Sequence, residues 1–278
     1  MKNWKKRFTS LLLTIVMCLT LGIPALASNT DNTDNVSREV AYNWALSVGY
    51  PADLLDSLSD EVLFDVYRMN KDEENIEVSY SVGYYSVAGN HLTRGNIDSS
   101  DLTFRLSCSR VSSVDKIVKY VYVISSYEWT VNQPDFKLDD AITVNWDESL
   151  WGLERDSSSK VTNFKATFSG KVKRTGEDEV YATLDRPAKT NRGGIGWYVE
   201  QDTDKYTYPH GTATFKLLPV DTQLMEGRRY RSFFTSTYAH EIAKVSSISL
   251  STSAAGVTIS GSYNEAAATN YVYYDVSQ

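Results

Sequence analysis

The sequence predicts a mainly β protein, an antiparallel β-sandwich or two packed β subdomains, with a small helical N-terminal segment after a signal peptide. From Ile76 onward, runs rich in β-branched and aromatic residues alternate with turn-forming residues. They give about eleven strands at the spacing typical of a sandwich. Helical periodicity is confined to Val36–Met69. The longest strand-like run is Lys116–Val131, which contains no Gly or Pro.

Residues 1–27 have the three parts of an export signal. Four basic residues precede a mostly apolar run at Leu11–Leu21, and Ala25 and Ala27 supply the small residues of a cleavage site. The apolar run is short for a bilayer and no second run of spanning length follows, so we expect no stable transmembrane segment in the mature chain. These features predict a secreted, extracellular protein of bacterial type. Residues 28–35 are polar and are expected to form a flexible leader.

The acidic composition argues against nucleic acid as a partner. The 278-residue chain has 28 Lys and Arg against 35 Asp and Glu. Removal of the signal takes away four basic residues and no acidic residue, so the formal charge of −7 becomes −11. Cys108 would be the only cysteine of the mature chain. No intramolecular disulfide could then form, and the protein must rely on its apolar core.

Residues 36–75 are predicted to form a helical cap and a charged linker. Apolar residues recur at helical spacing on both sides of a break expected at Gly49–Pro51. Ser59 and Asp60 offer capping chemistry for a further helix. Residues 76–278 form the predicted β-sandwich region, and the polar segment 147–160 is a candidate division within it.

Lys116–Val131 is predicted to be a central strand, because its first half is largely apolar on both faces. In its second half Trp129 lies on the apolar face, whereas Ser126, Glu128 and Thr130 lie on the other face and are expected in water. The remaining strands are predicted at 76–86, 102–109, 141–146, 164–173, 179–185, 195–201, 212–218, 228–238, 244–252, 256–263 and 270–276.

The sequence assigns no catalytic residue. Cys108 is a candidate nucleophile, but it shares a strand face with the apolar residues of Leu102–Cys108, as a core residue would. No cysteine-enzyme signature surrounds it. His91, His210 and His240 lie too far apart for a metal-binding motif. We therefore predict no metal site and no cofactor, and the residues favour a non-enzymatic protein.

Aromatic residues are the compositional anomaly, with nineteen Tyr, six Trp and nine Phe in the chain. Sandwich domains that bind sugars stack them on exposed rings, so a cell-surface or polymer glycan is the ligand class that we expect. Core filling is the competing interpretation. Trp151 lies in a polar loop and is the tryptophan expected to be available. The candidate ligand-binding residues are Trp151, Tyr206, Tyr208 and His210, of which the last two belong to a turn-like sequence at Tyr208–Gly211.

Ser246–Tyr263 supports a different function. Apolar residues alternate with Ser and Thr around a turn at residues 253–256, the pattern of a membrane-inserting hairpin. Each arm is shorter than the roughly nine to eleven residues of a membrane-crossing strand, and an ordinary half-buried hairpin has the same pattern. A β-pore-forming toxin-like protein therefore stays open as one alternative. A secreted hydrolase is another, with carboxylates brought together across loops.

Overall fold

A computed structural model describes residues 36–85, 101–130, 140–199, 202, 204–221, 230–241, 245–250, 257–261 and 265–276. The predicted signal (1–27), the predicted leader (28–35) and His91 lie outside the described residues. The chain divides into two compact units, 1–37 and 38–278, and every helix and strand below belongs to the second.

Three short helices precede the sheets: α1 (Arg38–Ser47), α2 (Ala52–Ser57) and α3 (Asp60–Asn70). The break expected at Gly49–Pro51 falls between α1 and α2, and Gly49 has a φ of +102° that favours glycine. Ser59 caps α3, because its Oγ accepts a hydrogen bond from the N–H of Val62 at 3.4 Å. Within the described residues, no helix is both long enough and apolar enough to cross a membrane.

The strands form two large antiparallel sheets, which confirms the predicted mainly β fold. The strand bounds are β1 (Asn75–Tyr85), β2 (Leu102–Ser112), β3 (Val118–Trp129), β4 (Asp140–Trp146), β5 (Trp151–Leu153), β6 (Lys165–Val172), β7 (Asp178–Leu184), β8 (Lys189–Thr190), β9 (Gly194–Val199), β10 (Tyr206–Pro219), β11 (Tyr230–Glu241), β12 (Val245–Leu250), β13 (Val257–Gly261) and β14 (Glu265–Val276). Sheet A has the order β1-β2-β3-β10-β6-β7, with β5 also paired to β10, and sheet B has the order β14-β11-β4-β9-β8. Strands β12 and β13 form a separate two-stranded sheet.

The apolar core lies between sheets A and B. The predicted central strand is β3, which pairs with β2 on one side and β10 on the other. Trp129 of β3 contributes its ring to this core, and its Nε1 donates a hydrogen bond to the Tyr238 hydroxyl of sheet B at 3.0 Å. Cys108 is fully buried in the same core, as its strand face predicts. The core includes residues that precede and residues that follow 147–160.

The helices cover the other face of sheet A, so the layers run helices, sheet A, sheet B. The Ser109 hydroxyl donates to the Tyr50 hydroxyl at 2.6 Å, and the Tyr120 hydroxyl donates to the Met69 carbonyl at 3.0 Å. Ser126 was expected in water on this face, and that expectation is wrong: only 1% of it is exposed. The sequence pattern of one strand carries no information about a helical layer that packs on its polar face.

Candidate functional site

An open groove lies between the helical layer and one end of sheet A, and we call it the helix–sheet groove. Its volume is about 650 Å³. Arg38 and the α2–α3 junction, residues 56–60, form the helical side. Four strand ends form the sheet side: Glu128–Thr130 at the end of β3, Ser169 and Lys171 of β6, Asp178–Val180 of β7, and Tyr208 and His210 of β10.

A bulge in β10 places the Tyr208 ring in the groove. The turn expected at Tyr208–Gly211 is wrong, because β10 begins at Tyr206 and pairs through this segment. The pairing of β10 with β6 shifts by one residue between Thr207 and His210, and Tyr208 has a φ of +51°. Such a bulge re-aims a side chain out of the regular strand alternation. Tyr208 is 37% exposed, and the Lys171 Nζ lies 5.4 Å from the centroid of its ring.

His210 lies directly after the bulge and is held from two sides. Its Nδ1 lies 3.0 Å from the Tyr208 carbonyl oxygen, which can only accept, so this nitrogen carries a hydrogen. Its Nε2 lies 3.4 Å from Oδ2 of Asp178 on β7. On the opposite neighbouring strand, Glu128 of β3 is the residue paired with His210. The imidazole therefore contacts an acidic residue of β7, whereas the Glu128 carboxylate on β3 accepts hydrogen bonds from Arg105 at 3.2 Å.

Tyr206 lies under the groove and does not line it. Only 4% of Tyr206 is exposed, and its ring stacks on Tyr181 with the centroids 4.6 Å apart. Its hydroxyl accepts a hydrogen bond from Lys205 Nζ at 2.7 Å and donates one to Glu179 Oε2 at 3.4 Å. Tyr206 therefore supports a groove carboxylate from behind, and its predicted availability to a ligand is wrong because neighbouring strands cover its ring.

Hydrogen bonds within the helical layer fix the helical side of the groove. Arg38 pairs with Asp60 and donates to the Leu58 carbonyl at 3.2 Å. The Tyr42 hydroxyl donates to Asp56 Oδ1 at 2.8 Å, and this hydrogen bond is the main cause that raises the pKa of Tyr42. Two carboxylates and one guanidinium are thus held at the α2–α3 junction.

The groove is acidic and carries both apolar and hydrogen-bonding surface. Arg38 and Lys171 are its permanent cations, and Tyr208 and Val180 supply exposed apolar area, with Val180 47% exposed. Five carboxylates line it, from Asp56, Asp60, Glu128, Asp178 and Glu179. Such a surface can stack one face of a ring and accept hydrogen bonds from hydroxyl or ammonium groups, and it repels anions.

Trp151 was expected to be exposed, and that expectation is wrong. Only 1% of Trp151 is exposed, and its Nε1 donates to the Ser232 hydroxyl of sheet B at 2.7 Å. The polar loop that contains it is interrupted by β5, which pairs with the far end of β10 and places the indole between the sheets. Trp151 therefore belongs to the core and not to the groove.

Of the four predicted residues, the structure brings Tyr208 and His210 together. The groove carboxylates were missed because they come from the α2–α3 junction, β3 and β7, which are distant in sequence and meet only in the folded chain. Within the described part of the chain, no group of three or more His, Cys, Asp and Glu is arranged to hold a metal ion. His240 lies on β11 in sheet B, whereas His210 lies on β10 in sheet A.

No protein-family model and no curated protein matches this chain. Solved structures that share weak similarity with it include the following three. The collagen-binding domain from a Staphylococcus aureus adhesin matches at 9% identity over 56% of this chain and 89% of that chain, with a TM-score of 0.30. A pore forming protein matches at 7% identity over 71% and 89%, with a TM-score of 0.29. Clostridium perfringens delta-toxin matches at 8% identity over 72% and 89%, also with a TM-score of 0.29. These values assign no function.

Proposed function

We propose that the protein is a secreted, non-enzymatic binding protein and that its helix–sheet groove holds a short stretch of a neutral or amino-sugar glycan. The observation that carries the proposal is the Tyr208 ring, presented by a strand bulge in a groove of about 650 Å³. Sugars bind by stacking a ring face on an aromatic side chain while their hydroxyl groups donate to carboxylates. Glu128, Asp178 and Glu179 supply such acceptors beside Tyr208.

The charge of the groove narrows the ligand class. Five carboxylates and two permanent cations line the groove. Two further cations pair with these carboxylates, Arg105 with Glu128 at 3.2 Å and Lys205 with Glu179 at 3.7 Å. One negative charge remains in excess, so an anionic polysaccharide would meet repulsion. A neutral sugar avoids this cost, and a free amino group would pair with the carboxylates. We therefore expect retention on insoluble cellulose or chitin, or on mannan, and weaker retention on their sulfated derivatives.

Tyr208→Ala is expected to weaken binding to the retained glycan by about tenfold to a hundredfold. The substitution removes an apolar ring whose stacking and burial contribute about 1.5–3 kcal/mol. Isothermal titration calorimetry with a soluble oligosaccharide of the retained glycan measures the effect. Tyr198→Ala is the matched control, because Tyr198 is 36% exposed and lies on β9 of sheet B, outside the groove.

Two outcomes would count against this proposal. Equal losses of affinity in the Tyr208 and Tyr198 variants would place the binding site outside the groove. If none of the glycans tested retained the protein, a glycan ligand of this class would be excluded. The same incubations are assayed for new reducing ends, of which we expect none. Release of reducing ends that is lost in Glu128→Gln would instead support the hydrolase alternative, with the groove carboxylates as its catalytic groups.

A second candidate function is membrane insertion by the hairpin of β12 and β13, and one observation favours it. β11 pairs with β14 from Tyr230↔Val276 to Glu241↔Glu265, and β12 continues this register with Val245↔Gly261. After a one-residue shift the pairing runs on to Leu250↔Val257. The described strands β11 and β12, and β13 and β14, therefore follow one another in the register of a single long hairpin.

The base of this hairpin, β11 and β14, belongs to sheet B, whereas β12 and β13, which we call its tip, pair only with each other among the described strands. β12 lies beside β4, β8 and β9 of sheet B. The register places Ile248 opposite Ile259 and Ser249 opposite Thr258, so apolar pairs alternate with polar pairs along the tip. A strand pair of this kind could present one face to lipid and the other to water.

Ile248→Arg is expected to reduce dye release from liposomes at micromolar protein by about 30-fold or more. A cation on the lipid-facing side of a membrane strand costs about 2–4 kcal/mol at the bilayer centre. Ser249→Arg, one position along on the polar face, is the matched control and should retain release within about threefold. Absence of release by the unmodified protein would contradict this candidate, as would equal losses in the two variants.

A further inference from the structure

A second concave site lies at the other end of β7 from the groove, and we call it the basic cleft. Its volume is about 430 Å³. One wall is the segment 155–161, which precedes β6, and the other is the segment 185–190, which follows β7. β7 begins in the helix–sheet groove at Asp178 and ends at Leu184, about 20 Å away for an extended strand, so the two sites are separate.

The basic cleft has the opposite charge from the rest of the chain. Arg155, Lys160, Arg186 and Lys189 line it, in a protein whose formal charge is −7. Within the described residues, neither Lys160 nor Arg186 forms an ion pair. Two carboxylates, Asp156 and Asp185, also line the cleft, so its four cations exceed its anions by two. Asp156 is engaged in its own turn: its Oδ1 accepts from the backbone N–H groups of Ser158 at 2.8 Å and Lys160 at 2.9 Å.

Arg155 is fixed between the two walls. Its Nη1 donates to the Ser159 carbonyl at 2.8 Å, and its Nη2 donates to the Thr190 hydroxyl at 3.2 Å. A guanidinium has five N–H donors, so these two bonds set its plane and leave three donors for a ligand. The turn around it is also fixed, because the Asp156 N–H donates to the Lys160 carbonyl at 2.9 Å. Less side-chain entropy is therefore lost when an anion binds.

We propose that the basic cleft binds a phosphate or sulfate group, either as a free ion or as an ester on a polymer. The oxygens of such a tetrahedral group accept hydrogen bonds in several directions, and a guanidinium matches two of them at once. Lys160 on one wall and Arg186 on the other supply charge from opposite sides. The site is independent of glycan binding in the groove, where the charge has the opposite sign.

The test compares two double variants that remove the same charges. Lys160→Gln with Arg186→Gln removes one Lys and one Arg from the cleft, and Lys173→Gln with Arg174→Gln removes one of each from the exposed segment after β6. Binding of inorganic phosphate is measured by calorimetry at low salt. We expect the cleft variant to lose affinity by about tenfold or more and the control variant to change by less than about twofold.

A comparison of dextran sulfate with uncharged dextran shows whether the cleft also binds a sulfate group that is an ester on a polymer. We expect dextran sulfate to bind and dextran not to bind, which would extend the site to esters on a polymer. Binding of phosphate without dextran sulfate would support the site and restrict it to small ions. Equal losses in the two double variants would overturn the proposal, because binding would then follow net charge. So would the absence of phosphate binding to the unmodified protein.

A measurement on the unmodified protein covers the case in which the cleft variant does not fold. Backbone amide chemical shifts are followed by NMR during phosphate addition. We expect the largest changes in 155–161 and 185–190, the two walls of the cleft. Changes spread over other basic segments, with none concentrated on these walls, would overturn the proposal. Tyr208→Ala should leave these shifts unaltered, which separates this result from the outcome at the groove.

Discussion

Replacing Trp151 by alanine is expected to lower the free energy of unfolding by about 3–5 kcal/mol, as truncation of a buried tryptophan does. The indole is 1% exposed, and its ring lies with its centroid 6.0 Å from that of Phe234. Truncation opens a cavity between the sheets and removes the donor to the Ser232 hydroxyl, which is itself buried. Urea unfolding followed by circular dichroism measures the loss.

This substitution also separates a core role from a ligand-binding role. If Trp151 belonged to the binding surface, Trp151→Ala would abolish glycan retention and leave stability within about 0.5 kcal/mol of the unmodified protein. We expect the reverse. Trp151→Ala should lower the free energy of unfolding, and the molecules that stay folded at low temperature should still bind the glycan. Tyr208→Ala is the complementary variant, with unaltered stability and lost binding. A Trp151→Ala protein as stable as the parent would contradict the described packing.

Much of the architecture could be predicted from periodicity within single segments. The run that is apolar on both faces became β3, paired on both sides, because only a covered strand tolerates apolar residues in two directions. The helix break at Gly49–Pro51 and the cap at Ser59 could be predicted for a similar reason. Both depend on a few neighbouring residues.

The site could be predicted only in part, because its residues meet through pairings between distant segments. Tyr208 and His210 drew attention as members of a turn-like Tyr-Pro-His-Gly sequence, although the segment is a bulged strand. Pro209 resembles a turn residue in the sequence, but a bulge tolerates a residue without an N–H. Nothing local indicates that Glu128 pairs with His210, since the order β3-β10-β6-β7 is not sequential.

Trp151 is the opposite case, a residue that was predicted to be exposed and is buried. Its neighbours in sequence are polar, which indicated a solvent-exposed loop. Its burial is decided by Ser232 and Phe234, about eighty residues later in the chain, and by the short pairing of β5 with β10. A residue in a three-residue strand carries too little periodicity to report which way its side chain points.

Alkaline pH is expected to unfold the protein cooperatively near pH 11, because its interior contains tyrosines that cannot ionise while folded. Burial is the main cause that raises the pKa of Tyr50, Tyr122, Tyr127 and Tyr238 above the ordinary value of 10.0. For Tyr127 and Tyr238, the negative charge of Asp140 raises the pKa further. Burial also raises the pKa of the Cys108 thiol.

The direction in which pH changes the free energy of unfolding follows from which state, folded or unfolded, releases protons. Above pH 10 the unfolded chain loses its phenolic protons and the folded chain keeps them, so the stability present below pH 10 is lost as pH rises toward the folded pKa values. Each such tyrosine costs about 1.4 kcal/mol by pH 11, and four together cost about 6 kcal/mol. That is comparable with the roughly 5–15 kcal/mol that stabilises a typical domain.

The titration is followed by tyrosinate absorbance and near-ultraviolet circular dichroism. Tyr50, Tyr122, Tyr127 and Tyr238 should ionise together as the tertiary signal disappears. Tyr122→Phe should reduce the loss of unfolding free energy between pH 9 and pH 11 by about 1.4 kcal/mol. Tyr198→Phe, at a position that is 36% exposed on β9, is the matched control substitution. Gradual ionisation of all tyrosines with an unaltered tertiary signal would contradict the prediction.

The positions of these tyrosines explain why the two interfaces of the protein should fail together. Tyr50, whose hydroxyl accepts a hydrogen bond from Ser109, lies between the helices and sheet A, where Tyr122 also lies. Tyr127 and Tyr238 lie between sheets A and B with their ring centroids 5.2 Å apart. Sheet A is common to both interfaces. Ionisation that opens one interface removes a packed layer from sheet A, and the other interface, which depends on the same sheet, should then open and expose its tyrosines to water. The helical layer that forms one side of the groove should therefore be lost in the same transition as the sandwich core.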